Sequence, residues 1–247
     1  MIKLTYLIPV YNEFKTVAKS INQILNLKLK DKEIIIIDNG SRDGSQNEIK
    51  KFKNKKNIKI ILRKKNLGYG ASIMQGAKIA KGKYLYIHFS DCEYDHHVSL
   101  KMLKLATKFN VDAIFGSRLK NKSKLQKIFS VFKNPAYIAT IILTFLYNFF
   151  YKKNFTDVIG SKFYKKNIFK KIIIKEKTKT WSSWDFELKN RLISGSYKIM
   201  EVFTDYKPRQ NFQDKKPRAY HLLFMMWLII KYRYNLYITR NANKISI

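Results

Sequence analysis

Residues 84–95 read YLYIHFSDCEYD. Tyr84 to Ile87 are aromatic and apolar and follow a glycine turn at Gly82, which predicts a buried strand. Two carboxylates, Asp91 and Glu93, stand just past its end. In an open α/β sheet, ligands bind outside the carboxyl ends of strands. Acidic side chains two residues apart at such a place can share one hard divalent cation, Mg2+ or Mn2+. A cation held there neutralises a diphosphate. A solvated acidic turn is the competing reading of the same residues, so the flanking sequence decides.

Upstream, residues 2–8 read as a first strand, ended by Pro9. A helix follows with apolar positions Val17, Ile21, Ile24 and Leu25 on one face. Glu33 to Ile37 is a β-branched run of the kind buried on both faces of a parallel sheet. It leads into Asp38-Asn-Gly-Ser-Arg-Asp-Gly-Ser45, where Gly40 and Gly44 permit positive φ and Ser41 and Asp43 are candidate helix caps. Ile58 to Leu62 is a third strand. The helix after it carries Ala71, Gly76, Ala77 and Ala80, small enough to lie close on a sheet. Downstream of Asp95, a helix near 98–109 and a fifth strand, Ala113 to Phe115, end at Gly116-Ser-Arg118. This alternation predicts a doubly wound, mainly parallel α/β sheet. Its polar strand ends, Asn12 and Glu13, Asp38, and Asp91 and Glu93, gather at one edge.

The 247 residues suffice for one large α/β domain or two small ones, and 46% hydrophobic content argues against disorder. The single cysteine, Cys92, excludes an internal disulfide and a cysteine-rich zinc site. Met1 leads straight into a strand, so no signal peptide is expected. The net charge of +33 fits an anionic membrane surface, with solvated compositional bias as the alternative. Only eight of the 50 basic residues are Arg, and Lys is spread along the whole chain, so no nucleic-acid partner is expected.

Four motifs in order resemble family 2 glycosyltransferases of the GT-A fold, a Rossmann-like mainly parallel sheet flanked by helices. They are Pro9-Val-Tyr-Asn-Glu13, Asp38 through Ser45, Arg63 through Gly70, and the small-residue helix that runs on to Gly82. Farther on, Gly116-Ser-Arg118, Thr156-Asp157, Glu187 and the stretch Glu201 to Arg209 resemble the dolichyl- and polyprenyl-phosphate sugar transferases. The resemblance implies transfer of a sugar from a nucleotide-sugar donor to polyprenyl phosphate, in cell-envelope glycan synthesis. It implies Pro9, Tyr11, Glu13 and Asp38 around the nucleoside, Mg2+ or Mn2+ on Asp91 and Glu93, and Arg118, Arg209 and Lys215 facing phosphates. A phosphate acceptor needs no base. A hydroxyl of a lipid-linked or surface glycan, the alternative acceptor, needs one, and Asp157, Glu187 and then Asp185 are the candidates.

The chain departs from the pattern at Phe89, where the family carries the first Asp of D-x-D-x-E, and at Asn39, Phe203, Phe212 and Asp214. Phe89 motivates a third reading, a nucleotide-binding membrane scaffold without turnover. Water or His88 is the alternative, a substitute for the missing ligand. His96 and His97 read as turn residues, because adjacent side chains rarely converge.

Residues 134–151 carry no charge over 18 positions, and 219–230 none over 12. Both fall short of the ~20 apolar residues of a span. They are expected to lie in the interface as amphipathic helices, flanked by Lys133, Lys152, Lys153, Arg218, Lys231 and Arg233. The expected organisation is a GT-A domain over 1–215, with an interface helix at about 128–151, and a membrane-associated helical segment over 216–247. The expected location is peripheral, on the cytoplasmic face of the membrane. A homo-oligomer is compatible with the same apolar helices.

Overall fold

The computed structural model describes residues 2–123, 125–126, 136–173, 181–208 and 222–234. One seven-stranded sheet has the order β3-β2-β1-β4-β6-β5-β7. Its strands are β1 (Leu4–Val10), β2 (Lys32–Asp38), β3 (Ile58–Leu62), β4 (Tyr84–Ile87), β5 (Ala113–Ser117), β6 (Lys162–Lys165) and β7 (Ile199–Phe203). β6 runs antiparallel to β4 and β5, and the other neighbours are parallel.

Strand alternation splits the core into two layers. Tyr6, Ile8, Ile34 and Ile36 point to one face, under α1 (Val17–Leu25), α2 (Ser45–Lys50) and α4 (Val98–Phe109). Leu7, Ile35, Ile37, Leu85 and Ile87 point to the other. There they meet α3 (Tyr69–Ile79), α5 (Ala136–Tyr151), α6 (Lys166–Ile173), α7 (Trp181–Ser194) and α8 (222–234). Because both faces are covered, the Ile34–Ile37 run is buried throughout. A Cβ on Gly76 would stand 2.9 Å from Ile37 and Leu7, so α3 lies as close to the sheet as its small residues allow.

Two local expectations change. Pro9 does not end β1. It lies inside the strand opposite Ile37, its carbonyl accepts the Ser90 hydroxyl at 3.2 Å, and the ladder runs on through Val10 to the Asn39 amide. Ser41 does not cap α2, whose N-cap is Gly44 at φ +94. Ser41 instead accepts the Asn12 amide, while Asp43 accepts both the Phe14 amide and, as expected at a helix start, the amide of Ser45, the first residue of α2; the loop after β2 is thereby tied to the loop after β1.

The apolar helix starts at Ala136, and residues 127–135 lie outside the described residues. Among the described residues, no helix is long and apolar enough to cross a membrane. Helix α8 packs Met225, Leu228 and Ile229 into the same core layer as Leu143 and Tyr147 of α5.

Candidate active site

The polar strand ends meet at one edge of the sheet. Asp38 pairs with Val10 across β1–β2, and the Ser90–Pro9 bond places the end of β4 on the other side of β1. The ends of β2 and β4 are therefore two strand spacings apart, about 10 Å.

Asp38 is fully buried. Its Oδ1 accepts the Gly40 and Ser41 amides, both at 3.0 Å, and the Gln46 side-chain amide at 2.7 Å. Its Oδ2 is buried with no hydrogen-bond partner. Glu13 is buried beside it in the chain fold, with its amide on Ser45 Oγ, while Tyr11 is exposed. Asn39 does what an aspartate could not. Its Oδ1 accepts Arg63 Nη1 and the Leu67 amide, while its Nδ2 donates to Asn66 Oδ1. The carboxamide thus knits the two loops that flank Asp38.

Past β4, Asp91 Oδ1 accepts the Glu93 amide at 3.1 Å, and Glu93 Oε2 accepts the Tyr206 hydroxyl at 2.9 Å. Phe89 stacks on Tyr69 with ring centroids 6.2 Å apart and 8° between planes. Its other contacts are the Tyr94 ring and the ammonium of Lys162, 5.6 Å from the ring centroid. Tyr94 meets Tyr206, and Tyr206 meets Tyr137, so a file of aromatic rings runs from Trp184 and Tyr69 across the strand ends.

Arg118 closes that file. Its guanidinium lies over the Tyr137 and Tyr206 rings at 5.1 and 5.3 Å. Its Nε and main-chain amide donate to Asp157 Oδ2 at 2.7 and 3.0 Å, and Nη2 donates to Asp157 Oδ1 at 3.1 Å. Burial alone would raise the Asp157 carboxyl. The Arg118 charge outweighs it and holds the group below the usual carboxylate range. Glu201 supports the pair by accepting the Thr156 and Asp157 amides, and burial pushes its own carboxyl up.

Asp185 is gripped by two lysines, with Lys162 Nζ at 3.0 Å and Lys189 Nζ at 2.6 Å. Burial would raise this carboxyl too, and the two ammonium groups bring it down. Glu187 lies two residues on, against Arg191 at 2.8 Å, and bonds Tyr232. Arg209 and Lys215 lie outside the described residues. His88 is buried on Ser20 Oγ at 2.9 Å, on the opposite core layer from Lys162. His96 and His97 sit in the turn before α4, as the sequence suggests, but their side chains do converge. Their ring centroids lie 4.1 Å apart with 39° between planes, and Asp95 Oδ1 accepts the His97 amide in an Asx turn. Among the described residues, Asp95, His96 and His97 are the one group of three His, Cys, Asp or Glu whose ligand atoms lie within 4.8 Å of one another.

The oxygen donors of Asp91 and Glu93 fit a divalent cation of the Mg2+ kind, which is held by one or two carboxylates together with substrate phosphates. The Phe89 ring supplies no third ligand. Sequence reasoning did not single out Lys162, Lys189, Tyr69 or Tyr206. Tyr69 and Tyr206 are half-buried and stand inside the quoted motifs without a role of their own, and in a chain this rich in lysine only burial distinguishes Lys162 and Lys189.

A stretch of 158 residues is 30% identical to an uncharacterized protein of Methanocaldococcus jannaschii, covering 62% of this chain and 66% of that protein. Eighty-three residues are 40% identical to the cholesterol galactosyltransferase of Borreliella burgdorferi, covering 34% of this chain and 23% of that protein. The poly-beta-1,6-N-acetyl-D-glucosamine synthase of Staphylococcus epidermidis is 30% identical over 124 residues, 49% of this chain and 30% of that one. The chain thus spans less than two thirds of each relative. Among solved structures, S. aureus TarS in complex with UDP-GlcNAc matches 93% of this chain and 66% of its own, with a TM-score of 0.58 at 14% identity. Mannosyl-3-phosphoglycerate synthase from Rubrobacter xylanophilus matches 99% of this chain and 75% of its own, with a TM-score of 0.63 at 12% identity. These likenesses are of fold, and the fold is GT-A. A model of the family described as glycosyl transferase family 2 matches residues 5–173, and with the strand-edge site in place the chain belongs to glycosyl transferase family 2.

Proposed function

We propose that this chain transfers a sugar from a nucleotide-sugar donor to polyprenyl phosphate at a membrane surface. The observation that carries the donor half is Asp38, whose Oδ2 is buried without a partner at the edge that also bears Asp91 and Glu93. A buried acceptor atom without a donor is costly, and a nucleoside N–H or O–H would satisfy it. Asp91 and Glu93 would hold a Mg2+ or Mn2+ ion. When bound, such an ion stabilises charge on a departing diphosphate.

Three carboxylates could serve as a base, and each is paired with a cation: Asp157 with Arg118, Asp185 with Lys162 and Lys189, Glu187 with Arg191. Carboxylates held this way are weak bases. They suit an acceptor that is already an anion, such as a lipid phosphate. The names of two relatives, a cholesterol galactosyltransferase and a glucosamine polymer synthase, favour the second reading, a hydroxyl acceptor.

The membrane half rests on two apolar stripes. On α5, Ile138, Ile141, Phe145 and Phe149 recur at helical spacing, and the two Phe are 63% and 67% exposed. On α8, Leu223, Trp227, Ile230 and Tyr234 do the same. Lys152, Lys153, Lys231 and Arg233 border them, which suits anionic lipid.

Purified protein should be incubated with labelled nucleotide-sugars and membranes, with Mg2+, Mn2+ or EDTA, and the product read by mass. Label in a mild-acid-labile lipid is the expected result. Label in a stable glycan would favour the hydroxyl acceptor. No turnover with any donor would leave the scaffold. In parallel, a Phe149→Ser, Trp227→Ser double variant should lose most of its binding to vesicles rich in anionic lipid. Unchanged binding would remove the membrane half.

A further inference from the structure

Three charged side chains meet in the core below Phe89: Lys162 from β6, and Asp185 and Lys189 one turn apart on α7. Lys162 and Lys189 are 3% and 0% exposed, and Asp185 is 9% exposed. The cluster holds two ammonium groups and one carboxylate. The adjacent Asp157 is already matched by Arg118. Above Lys162 lies the face of the Phe89 ring, which polarises toward a cation but is no counter-ion. Within this cluster the ammonium groups therefore exceed the carboxylates by one.

The surroundings are also rich in unused donors. The Tyr69 and Tyr164 hydroxyls and Trp184 Nε1 are buried without a hydrogen-bond partner. Both tyrosines feel the Asp185 charge, and Tyr69 also feels Asp91, so the cluster borders the strand-edge site. Buried polar groups in native proteins are almost always paired, and each orphan calls for an explanation. Surplus cation and idle O–H and N–H donors have one common complement, an anion with several acceptor oxygens. Desolvation pulls the Lys189 ammonium down to about 8, with Asp185 opposing the shift and the Lys162 charge adding to it.

We propose that Lys162, with Lys189 behind it, is a phosphate-recognition residue of this site. The shared chemistry is a phosphate group, either the donor's diphosphate or the acceptor's monophosphate, entering beside Phe89 and the partly exposed edge of Asp185. The assignment rests on the reading of this edge as a transferase site.

Binding should be measured by calorimetry on the full chain in EDTA, which removes any metal contribution. The probes are inorganic pyrophosphate, farnesyl phosphate and farnesol. Wild-type protein should bind a phosphate probe and show no phosphate-independent gain with farnesol. Lys162→Met should weaken the phosphate probe by about 10-fold or more, the scale of one charge-assisted contact. It should also raise the melting temperature, because it removes the surplus charge. A purely structural ion pair gives the opposite pattern, a lower melting temperature and unchanged binding, and that outcome overturns the assignment. Lys189→Met is the second variant with the same expected stability gain. Failure of both to fold would also overturn it, since a cluster with excess charge must tolerate losing one ammonium. A loss confined to pyrophosphate assigns Lys162 to the donor, and one confined to farnesyl phosphate assigns it to the acceptor. If wild type transfers sugar while both probes bind the variants equally, this assignment fails alone. If no donor supports transfer but Lys162→Met loses phosphate, the transferase reading fails and the phosphate site stands.

Discussion

The two halves of the sheet edge are built on opposite electrostatic plans. On the β1–β2–β3 side, the site is a mesh of side-chain to backbone hydrogen bonds between loops: Asp38 to Gly40 and Ser41, Ser41 to Asn12, Asp43 to Phe14, Asn39 to Leu67. On the β6–β5–β7 side, the site groups are ionised and sealed in the core: Arg118 with Asp157, and Asp185 with Lys162 and Lys189. A typical hydrogen bond contributes about 1 kcal/mol net, whereas stranding one charge of a one-to-one buried pair such as Arg118–Asp157 costs roughly 3–5 kcal/mol. The first half can therefore change a candidate site group without losing the fold. In the second half, the candidate site groups are themselves core groups.

Asp157→Ala tests the sealed half most severely. It strands the Arg118 guanidinium in the core, and a loss of ~3–5 kcal/mol is expected in urea denaturation. A loss below about 1 kcal/mol would mean that water reaches Arg118, and the contrast between the halves would collapse. Next in size is Gly70→Ala at the joint between them. A Cβ there would lie 2.4 Å from the Trp184 indole, so α3 and α7 must part or the ring must turn. Overpacking of this kind costs ~1–3 kcal/mol. A melting temperature equal to wild type would show that the Trp184 side of the joint is soft.

His88 gives a smaller, pH-dependent signal from the opposite core layer. Burial, and then the nearby His96, push its ring down to about 3. An unfolded histidine titrates near 6.5, so the unfolded chain takes up the proton first. Stability from this group is complete above about pH 6.5 and is lost as pH falls toward 3. By pH 5 the loss is about 2 kcal/mol at most. Asp157 and Asp185 are lowered carboxylates, and their contribution is lost only below the unfolded carboxylate range, near pH 4. Denaturation midpoints between pH 6.5 and 5 should thus fall in wild type and fall less steeply in His88→Asn, where the His96 ring, also lowered by burial, supplies the remaining slope. An equal slope in both would assign the acid sensitivity elsewhere.

The same contrast decides what the sequence discloses. The first half is local. Each strand runs into its own loop, the glycines at 40 and 44 have the positive φ their motif requires, and the apolar period of α1 is the buried face. Asp38, Asp91 and Glu93 could be set on one edge from strand direction alone. The second half is made by long-range contacts. β6 is four residues flanked by lysines, and nothing in KFYK says that Lys162 points inward or that the strand runs backward between β4 and β5. Asp157 and Arg118 are 39 positions apart, and Lys162 and Asp185 are joined only through the sheet and α7. Phe89 is visible in the sequence as an exception to a pattern. Its place between Tyr69 and a buried ammonium is not.

Asp38→Asn is the smallest perturbation and the most informative about function. Asparagine keeps an oxygen for the Gly40 and Ser41 amides and the Gln46 side chain, so the loop should hold and stability should change by less than ~1 kcal/mol. The second position changes from an acceptor without a partner to a donor. If that atom receives an N–H or O–H of the nucleoside, nucleotide affinity should drop about 10-fold or more, with the melting temperature nearly unmoved. A large stability loss would put Asp38 with the sealed core rather than with the loop mesh. Full affinity with full stability would remove it from the nucleoside contacts and leave the donor to be held from the β4 side, by the Asp91 loop.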